Sequence, residues 1–402
     1  MNVLFLTISR HTDINARGIY ADLIRKFRDE GHNVYIATPN ERRFKQPTKV
    51  EQHHGVATLG IKTLNIQKTN IIEKGIATIL IEGMFRRAIK RYWSDISFDL
   101  VLYSTPPITF ASVIRDIKRR NPHCISYLLL KDIFPQNAVD LGMFSKHSPL
   151  YAYFRHKERQ LYRNSDYIGC MSPANVRYIV EHNKAIDDSR VELAPNSIEL
   201  CKTQPTDRNA IRRRYELPTD RPIFIYGGNL GRPQGIEFMC RALERNNQRD
   251  DCHFLIVGSG TEYGRIERWM ADSNPRNITL MKALPKEEYD ALVGACDVGL
   301  IFLDHRFTIP NYPSRLLSYL ENRMPIIAAT DSNSDIGPIA QKSGYGMWCE
   351  SNDVEAFGTL IDKMVKEPAT IERMGNNGYR FLCENYLTDH TYGAIIKHIN
   401  NA

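Results

Sequence analysis

The sequence predicts two doubly wound α/β domains in series, and three observations carry that expectation. At 402 residues the chain exceeds what one hydrophobic core usually organises, so two domains of about 200 residues are expected. Short, near-continuous apolar runs recur through both halves, separated by amphipathic stretches, which is the pattern of parallel strands covered by helices on both faces. From about 196 to 218 polar and charged residues break the rhythm, which places a linker there.

In the first half NVLFLT, NVYIAT, LVLY, ISYLLL, YIGCM and VELAP read as strands, with helices at 18–31, 71–93, 107–120, 148–163 and 172–183. The second half repeats the alternation with FIYGG, HFLIVG, ITLM, VGLIFL and PIIAAT, and with helices near 235–245, 261–272, 286–296, 314–323, 335–343 and 353–366. Domains are therefore expected over 1–196 and 197–382, and 383–402 reads as a last helix that returns to the first domain. Ligands of such folds bind beyond the carboxyl ends of the strands, so the loops after strands are where function is sought.

Composition narrows the class. The content is ordinarily globular, and the eight cysteines are scattered without CxxC pairs, which points away from zinc and disulfides and toward a reducing, cytoplasmic compartment. MNVLFLTIS reads as a first strand, since no basic region precedes the short apolar run that ends at Arg10 and His11. The longest apolar approach to a membrane span is broken by Glu73, Lys74, Glu82 and Arg86, so a soluble or peripheral protein is expected. Up to residue 195 there are 29 Lys and Arg against 19 Asp and Glu, whereas the remainder has 24 against 27. All the positive excess is N-terminal, which suits an anionic membrane surface or simply a solvated basic face; no nucleic-acid module accompanies it. Within 71–93, Ile72, Ile76, Ile79, Leu80, Met84 and Phe85 precede Arg86, Arg87, Lys90, Arg91, Tyr92 and Trp93, a pattern that fits an interfacial helix or one that covers the sheet.

The densest cluster of signals is TIPNYPSRLLSYLENRMP, residues 308–325. Pro313 and Ser314 read as a helix entry with Ser314 as N-cap, Leu316, Leu317 and Leu320 as the inward face, and Pro325 as the stop. Arg315 then falls in the first turn, where a cation opposes the macrodipole by about 0.3–1 kcal/mol unless an anion such as phosphate sits there. A core helix with a solvated Arg accounts for the segment equally well. Upstream, Gly227, Gly228, Asn229, Gly231, Arg232, Gln234 and Gly235 follow a strand and open a helix, a recipe for holding a diphosphate, and Gly258 and Gly260 follow the next strand. Neither a Walker loop nor GxGxxG is present. In the first half Gly18 begins a helix and would let a substrate approach backbone amides. Lys131 and Asp132 lie just past a strand, ahead of Pro135 and Asn137, and Asp132 suits general-base or hydroxyl-orienting work, or a simple cap. Ser104-Thr-Pro-Pro107 and Pro195-Asn-Ser197 are similar strand-end turns.

In order and spacing, MNVLFLT with Gly18, GHNVYIATP, YSTPPITF, KDIFPQNAVDLG, LAPNSIEL, GGNLGRPQG, FLIVGSG and PNYPSRLLSYLENRMPIIAATD resemble the GT-B-fold retaining glycosyltransferases of family four, specifically the WbuB-like enzymes of capsule and O-antigen assembly. The resemblance spans essentially the whole chain. It implies two Rossmann-like domains facing a central cleft, a UDP-sugar donor on the C-terminal domain, an acceptor on the N-terminal one that is a polyprenyl-diphosphate-linked saccharide, and no metal or other cofactor. By resemblance Arg315, Arg232 and Asp132 take the catalytic roles. Gly228, Asn229, Gln234, Gly258, Gly260, Asn311, Pro313, Ser314 and Ser318 take the donor, and Gly18, Lys131 and Asn137 the acceptor. The family's two glutamates fall here on Pro310 and Ser318, and its diphosphate-gripping Arg and Lys on Asn229 and Gln234, so Arg315 and Arg232 would replace that charge. A nucleotide-sugar epimerase of the same fold, or a non-catalytic nucleotide-sugar-binding subunit, are the alternatives.

Overall fold

The structure is a computed structural model that describes residues 1–9, 13–66, 69, 71–201 and 207–400, with the side chains of 71, 72 and 74 also outside it. Arg10, His11, the side chains of Ile72 and Lys74, and the middle of the expected linker therefore lie outside the described residues. The chain forms two compact units, Met1–Glu199 with Thr388–Ala402, and Leu200–Leu387. It passes between them at 199/200 and 387/388, where the sequence placed the passages at 196/197 and 382/383.

Unit 1 is built from β1 (Asn2–Leu6), α1 (Ile19–Asp29), β2 (Asn33–Glu41), β3 (Lys49–His53), β4 (Val56–Thr63), α2 (Ile71–Tyr92), β5 (Leu100–Ser104), α3 (Ala111–Arg120), β6 (Ile125–Leu130), α4 (Gln136–Asp140), α5 (Pro149–Asn164), β7 (Tyr167–Cys170), α6 (Pro173–His182) and β8 (Val191–Leu193). Its sheet runs in the order β3-β4-β2-β1-β5-β6-β7-β8. The strand order reverses between β1 and β5, which puts the loops that follow them at the topological switch point, where ligands of such sheets bind. All ladders are parallel except β3 with β4, an antiparallel hairpin that is absent from the expected strands, KVEQH carrying little apolar signal. Helix α3 starts at Ala111, four residues later than expected, since Pro106 and Pro107 hold the chain out of helix geometry.

Helix α2 sorts its apolar residues onto two faces. Ala77, Ile81, Phe85 and Ile89 are buried, while Ile76, Ile79 and Leu80 are 48%, 58% and 44% exposed. Trp93, expected at an interface, is instead packed edge-on against Tyr35 and is only 3% exposed. Arg86 is committed to Asp116, which leaves Arg87, Lys90 and Arg91 as the exposed basic group.

Unit 2 contains α7 (Arg208–Arg214), β9 (Ile223–Asn229), α8 (Ile236–Glu244), β10 (His253–Ser259), α9 (Tyr263–Ser273), β11 (Ile278–Lys282), α10 (Lys286–Gly294), β12 (Val298–Phe302), α11 (Arg315–Glu321), β13 (Ile326–Thr330), α12 (Ile336–Lys342), β14 (Gly346–Glu350), α13 (Val354–Lys366) and α14 (Pro368–Asn385). Its parallel sheet has the order β11-β10-β9-β12-β13-β14, with the reversal between β9 and β12. Helix α7 occupies the stretch read as linker, capped by Asp207 on the amides of Asn209 and Ala210. Phe224, Ile256, Leu300 and Ile327 from adjacent strands fill the core.

The last helix, α15 (Thr388–Asn400), belongs to unit 1. Tyr392 packs edge-on to Phe27 with centroids 4.9 Å apart, Ile395 enters the core beside α1, and the His398 ring stacks on Tyr167 at 3.5 Å. Lys397 pairs with Glu192 at 2.6 Å on the outer side.

Candidate functional site

The loops after β9 and β12 flank the switch point of unit 2 and are tied together: the Asp304 amide donates to Pro233 O at 3.0 Å. Gly235 has φ 56 and stands so close to this crossing that a Cβ there would lie 3.2 Å from Asp304 Cα. Asp304 is 6% exposed, and burial, which raises its pKa, is outweighed by the Arg306 guanidinium on both its oxygens at 2.8 Å, leaving it below the usual range.

Arg315 opens α11 at this point. Its Nη1 donates to Gly227 O at 2.9 Å and its guanidinium lies 4.2 Å from the Tyr226 ring centroid, with Gly228 alongside. Gly228 has φ 130, a conformation that side-chain-bearing residues rarely adopt, and it is exposed. No carboxylate among the described residues pairs with Arg315, so a partly buried cation is held by neutral groups, the Gly227 carbonyl and the ring and hydroxyl of Tyr226. Cations in that state are the ones an incoming phosphate neutralises at least desolvation cost. Tyr226 and Tyr289, which line this cation, were not singled out from the sequence; an aromatic on the strand before the glycines was the available signal.

The other predicted donor residues divide by what occupies them. Gln234 is buried, and its Oε1 accepts from Asn229 Nδ2 at 3.0 Å and from the Gly231 amide at 3.1 Å, so it braces the β9 loop from inside. Asn229 is exposed at the loop surface. Gly258 and Gly260 serve close packing: a Cβ would meet Gly228 O at 1.9 Å and Leu230 O at 2.2 Å, respectively. Arg232 is largely exposed, with its Nε 3.9 Å from Glu262, and no contact among the described residues joins it to Arg315.

Along the 308–325 segment, the Asn311 amide donates to Ser334 Oγ at 2.9 Å, while Ser334 Oγ donates to Asp331 Oδ2, also at 2.9 Å. Asp331, missed in the sequence, is the anchor of this turn; burial pushes its carboxyl up to about 6 against hydrogen bonds from Ser334 and Asn333. Ser314 occupies the N-cap position but its side chain caps nothing; the first turn is closed instead by Leu316 N–H to Pro313 O and Leu317 N–H to Ser314 O. The helix also ends earlier than expected. Arg323, at φ 54, turns the chain with Met324 N–H on Tyr319 O at 2.9 Å, so a left-handed residue rather than Pro325 stops it. Pro310 is buried, and Ser318 offers its carbonyl to Asn322 Nδ2 at 2.8 Å, leaving its hydroxyl without a hydrogen bond among the described residues.

In unit 1 the switch-point loop after β5 holds the end of β6. Thr105 Oγ1 donates to Asp132 O at 2.9 Å and accepts from the amides of Lys131 and Asp132, both at 3.0 Å. This stitch fixes Asp132, whose Oδ1 accepts from Asn137 Nδ2 at 2.8 Å. Burial pushes the Asp132 carboxyl up to about 6, tempered by Asn137 and the Ile133 amide. Tyr20 reaches the same place: its hydroxyl bonds Ser104 and feels the Asp132 charge, so α1 contributes a residue that the sequence did not flag. Lys131 lies instead toward Cys170, and burial pulls its ammonium down to about 7. The Gly18 amide is already taken, donating to Asp22 Oδ1 at 3.0 Å; what Gly18 keeps open is space, since a Cβ there would meet nothing within 4 Å.

Residues 19–201 match the family model described as Glycosyltransferase Family 4, and residues 207–381 match Glycosyl transferases group 1. The probable glycosyltransferase WbjE of Pseudomonas aeruginosa is 22% identical over 330 residues, 79% of this chain and 78% of that one. The putative colanic acid biosynthesis glycosyl transferase WcaI of Escherichia coli K12 is 27% identical over 208 residues, 50% of this chain and 49% of that one. The structure of Alr3699/HepE from Anabaena in complex with UDP-glucose superposes with a TM-score of 0.71 at 14% identity, covering 100% of both chains. With a family 4 domain followed by a group 1 domain on two parallel α/β sheets, the chain belongs to the glycosyltransferases of GT-B fold.

Proposed function

We propose that the protein moves a hexosyl or N-acetylhexosaminyl group, with retention, from a UDP-sugar to a saccharide carried on polyprenyl diphosphate, in capsule, O-antigen or exopolysaccharide assembly, without a metal. The observation that carries the donor half is Arg315, a partly buried cation without a carboxylate, set beside the exposed Gly228 at the switch point of unit 2. The UDP-glucose held by HepE and the polysaccharide named for WcaI support the same reading. In the reaction the bond from the anomeric carbon to the β-phosphate oxygen breaks, the acceptor oxygen takes its place, and the hydroxyl proton passes to Asp132. Charge gathers on the departing UDP, and Arg315 stabilises it where it develops; one such donor contributes about 3–4 kcal/mol in comparable sites.

Incubating the protein with a panel of UDP-sugars, with and without polyprenyl-linked saccharide, tests this directly. UDP release only in the presence of the lipid acceptor is expected. Epimerised donor without acceptor would mean an epimerase, and binding without turnover a non-catalytic subunit.

Such an acceptor places the enzyme at the cytoplasmic membrane face, and the described residues contain no helix long and apolar enough to cross a membrane. Ile76, Ile79 and Leu80 with Arg87, Lys90 and Arg91 on the outer side of α2 form the docking face. Each basic residue near an anionic surface contributes about 1 kcal/mol, so changing all three to glutamine lowers binding to phosphatidylglycerol vesicles about a hundredfold. Unchanged vesicle binding in a flotation assay would remove α2 from the membrane contact.

A further inference from the structure

The two places where the chain leaves unit 2 are both hydrogen-bonded to the segment that carries Arg315. At the first, the Cys201 amide donates to Glu321 Oε1 at 3.0 Å, and Glu321 is the last residue of α11. At the second, Tyr386 Oη lies 2.5 Å from Tyr312 Oη, three residues ahead of Arg315, with Tyr386 closing α14 one residue before the unit ends. Tyr345 sits beside this pair with its hydroxyl buried and without a hydrogen bond of standard geometry.

Unit 1 repeats the arrangement. Glu199, the last residue before the first passage, accepts from Arg25 Nε and Nη2 at 3.1 and 2.9 Å, and its amide donates to Asp22 Oδ2 at 3.1 Å. Asp22 is the buried carboxylate that also holds the Gly18 amide, and Arg25 Nη1 reaches Ile14 O and Ala16 O in the loop before α1. The second passage is pinned by the Thr388 amide on Ile198 O at 3.1 Å. The first linking strand is therefore fastened to α11, which Arg315 opens, in unit 2 and to α1, which Gly18 caps, in unit 1, while the second is fastened to Tyr312 ahead of α11 and to Ile198 beside the first strand.

We propose that Glu321 and Tyr386 are positioning residues that set Arg315 according to the state of the two interdomain strands, with Asp22, Arg25 and Glu199 doing the same for the start of α1. Helix α11 is seven residues long and its cap bonds leave no joint within it, so a displacement of Glu321 is carried to Arg315, about 9 Å away at 1.5 Å per residue. The Tyr312–Tyr386 bond acts on the other side of Arg315, so the cation is held between two attachments. In its catalytic consequence the inference rests on the transferase reading; in its mechanical content it does not.

The test uses the full chain with Tyr386→Phe, which removes the hydroxyl and keeps the ring, and Glu321→Met, which removes the oxygen that accepts from the Cys201 amide and keeps a side chain of similar length. In ligand-free hydrogen exchange, the amides of Leu316 and Leu317 are expected to exchange at least about fivefold faster in each variant while those of β10 are unchanged. In transfer assays kcat is expected to fall about two- to tenfold, the worth of one hydrogen bond, with the donor KM unmoved. Tyr312→Phe combined with Tyr386→Phe should equal either single change, because both remove the same bond. Unaltered exchange at 316–317 in both variants, or additive losses in the double, would overturn the linkage. Faster exchange in a protein whose wild type transfers no sugar would instead sink the transferase reading and leave the linkage standing.

Discussion

Arg315→Ala is expected to lower sugar transfer at least about tenfold, and more than that if the whole contribution of a charge-stabilising donor is lost. The guanidinium is planar, permanently charged and fork-shaped, so it can keep one N–H on Gly227 O while another meets a phosphate oxygen. Lysine has three donors but all on one nitrogen, without the planar fork that spans two separated acceptors and lies on the Tyr226 ring, so Arg315→Lys should recover only part of the rate. The loss should fall on kcat more than on the donor KM, because in the proposed reaction the charge on the leaving nucleotide grows as the glycosidic bond breaks. Steady-state kinetics on both variants, alongside a melting curve to confirm folding, checks this. Transfer at the wild-type rate by the alanine variant would remove Arg315 from the phosphate.

The second large effect belongs to Asp132. Its carboxyl is held up at about 6 by burial, well above the ordinary aspartate value of 3.8. The folded protein therefore keeps the proton that the unfolded chain has already lost between about pH 4 and 6, and stability contributed by the neutral form declines as pH rises through that window. Activity runs the other way. A base must be ionised, so kcat/KM should climb about tenfold per pH unit below 6 and level off above it. Asp132→Asn keeps the size and the contact with Asn137 but abolishes the base; transfer is expected to drop about a hundredfold at pH 8 and the acid limb to vanish. A pH–rate profile of the variant that retains the acid limb would assign that ionisation elsewhere, with Asp331, also near 6, as the next group to test.

Much of the architecture was legible because it depends on local patterning. Apolar strands such as FIYGG and PIIAAT, and glycines followed by helix starts, announce parallel sheets and strand-end loops within a few residues of chain. Elements with weak patterning escaped. The hairpin strand Lys49–His53 is largely polar and α7 is mostly arginine, so neither carries an apolar face in its sequence. In the candidate site, Arg315 and Asp132 stood out in the sequence because each is a charge at the boundary of an apolar element. The sequence could not show the company they keep. Trp93, on a helix read as interfacial or as covering the sheet, is core, Arg232 lies by Glu262, and Gly258 and Gly260 leave room for the β9 loop.

What the sequence by itself determined is therefore the class of the fold, the alternation of most of its strands and helices and the few charged residues at strand ends, since all three are written in spacing and residue type over short windows. Only the tertiary structure decided which groups meet. Tyr20 reaches the Asp132 loop from α1, Tyr226 lies under Arg315 from β9, and Glu321 and Tyr386 fasten the α11 segment to the two interdomain strands. Those pairings join residues up to 120 positions apart, as Cys201 and Glu321 are, and they exist because the packing of each unit brings distant segments of the chain together within it. No local pattern in the chain encodes that juxtaposition.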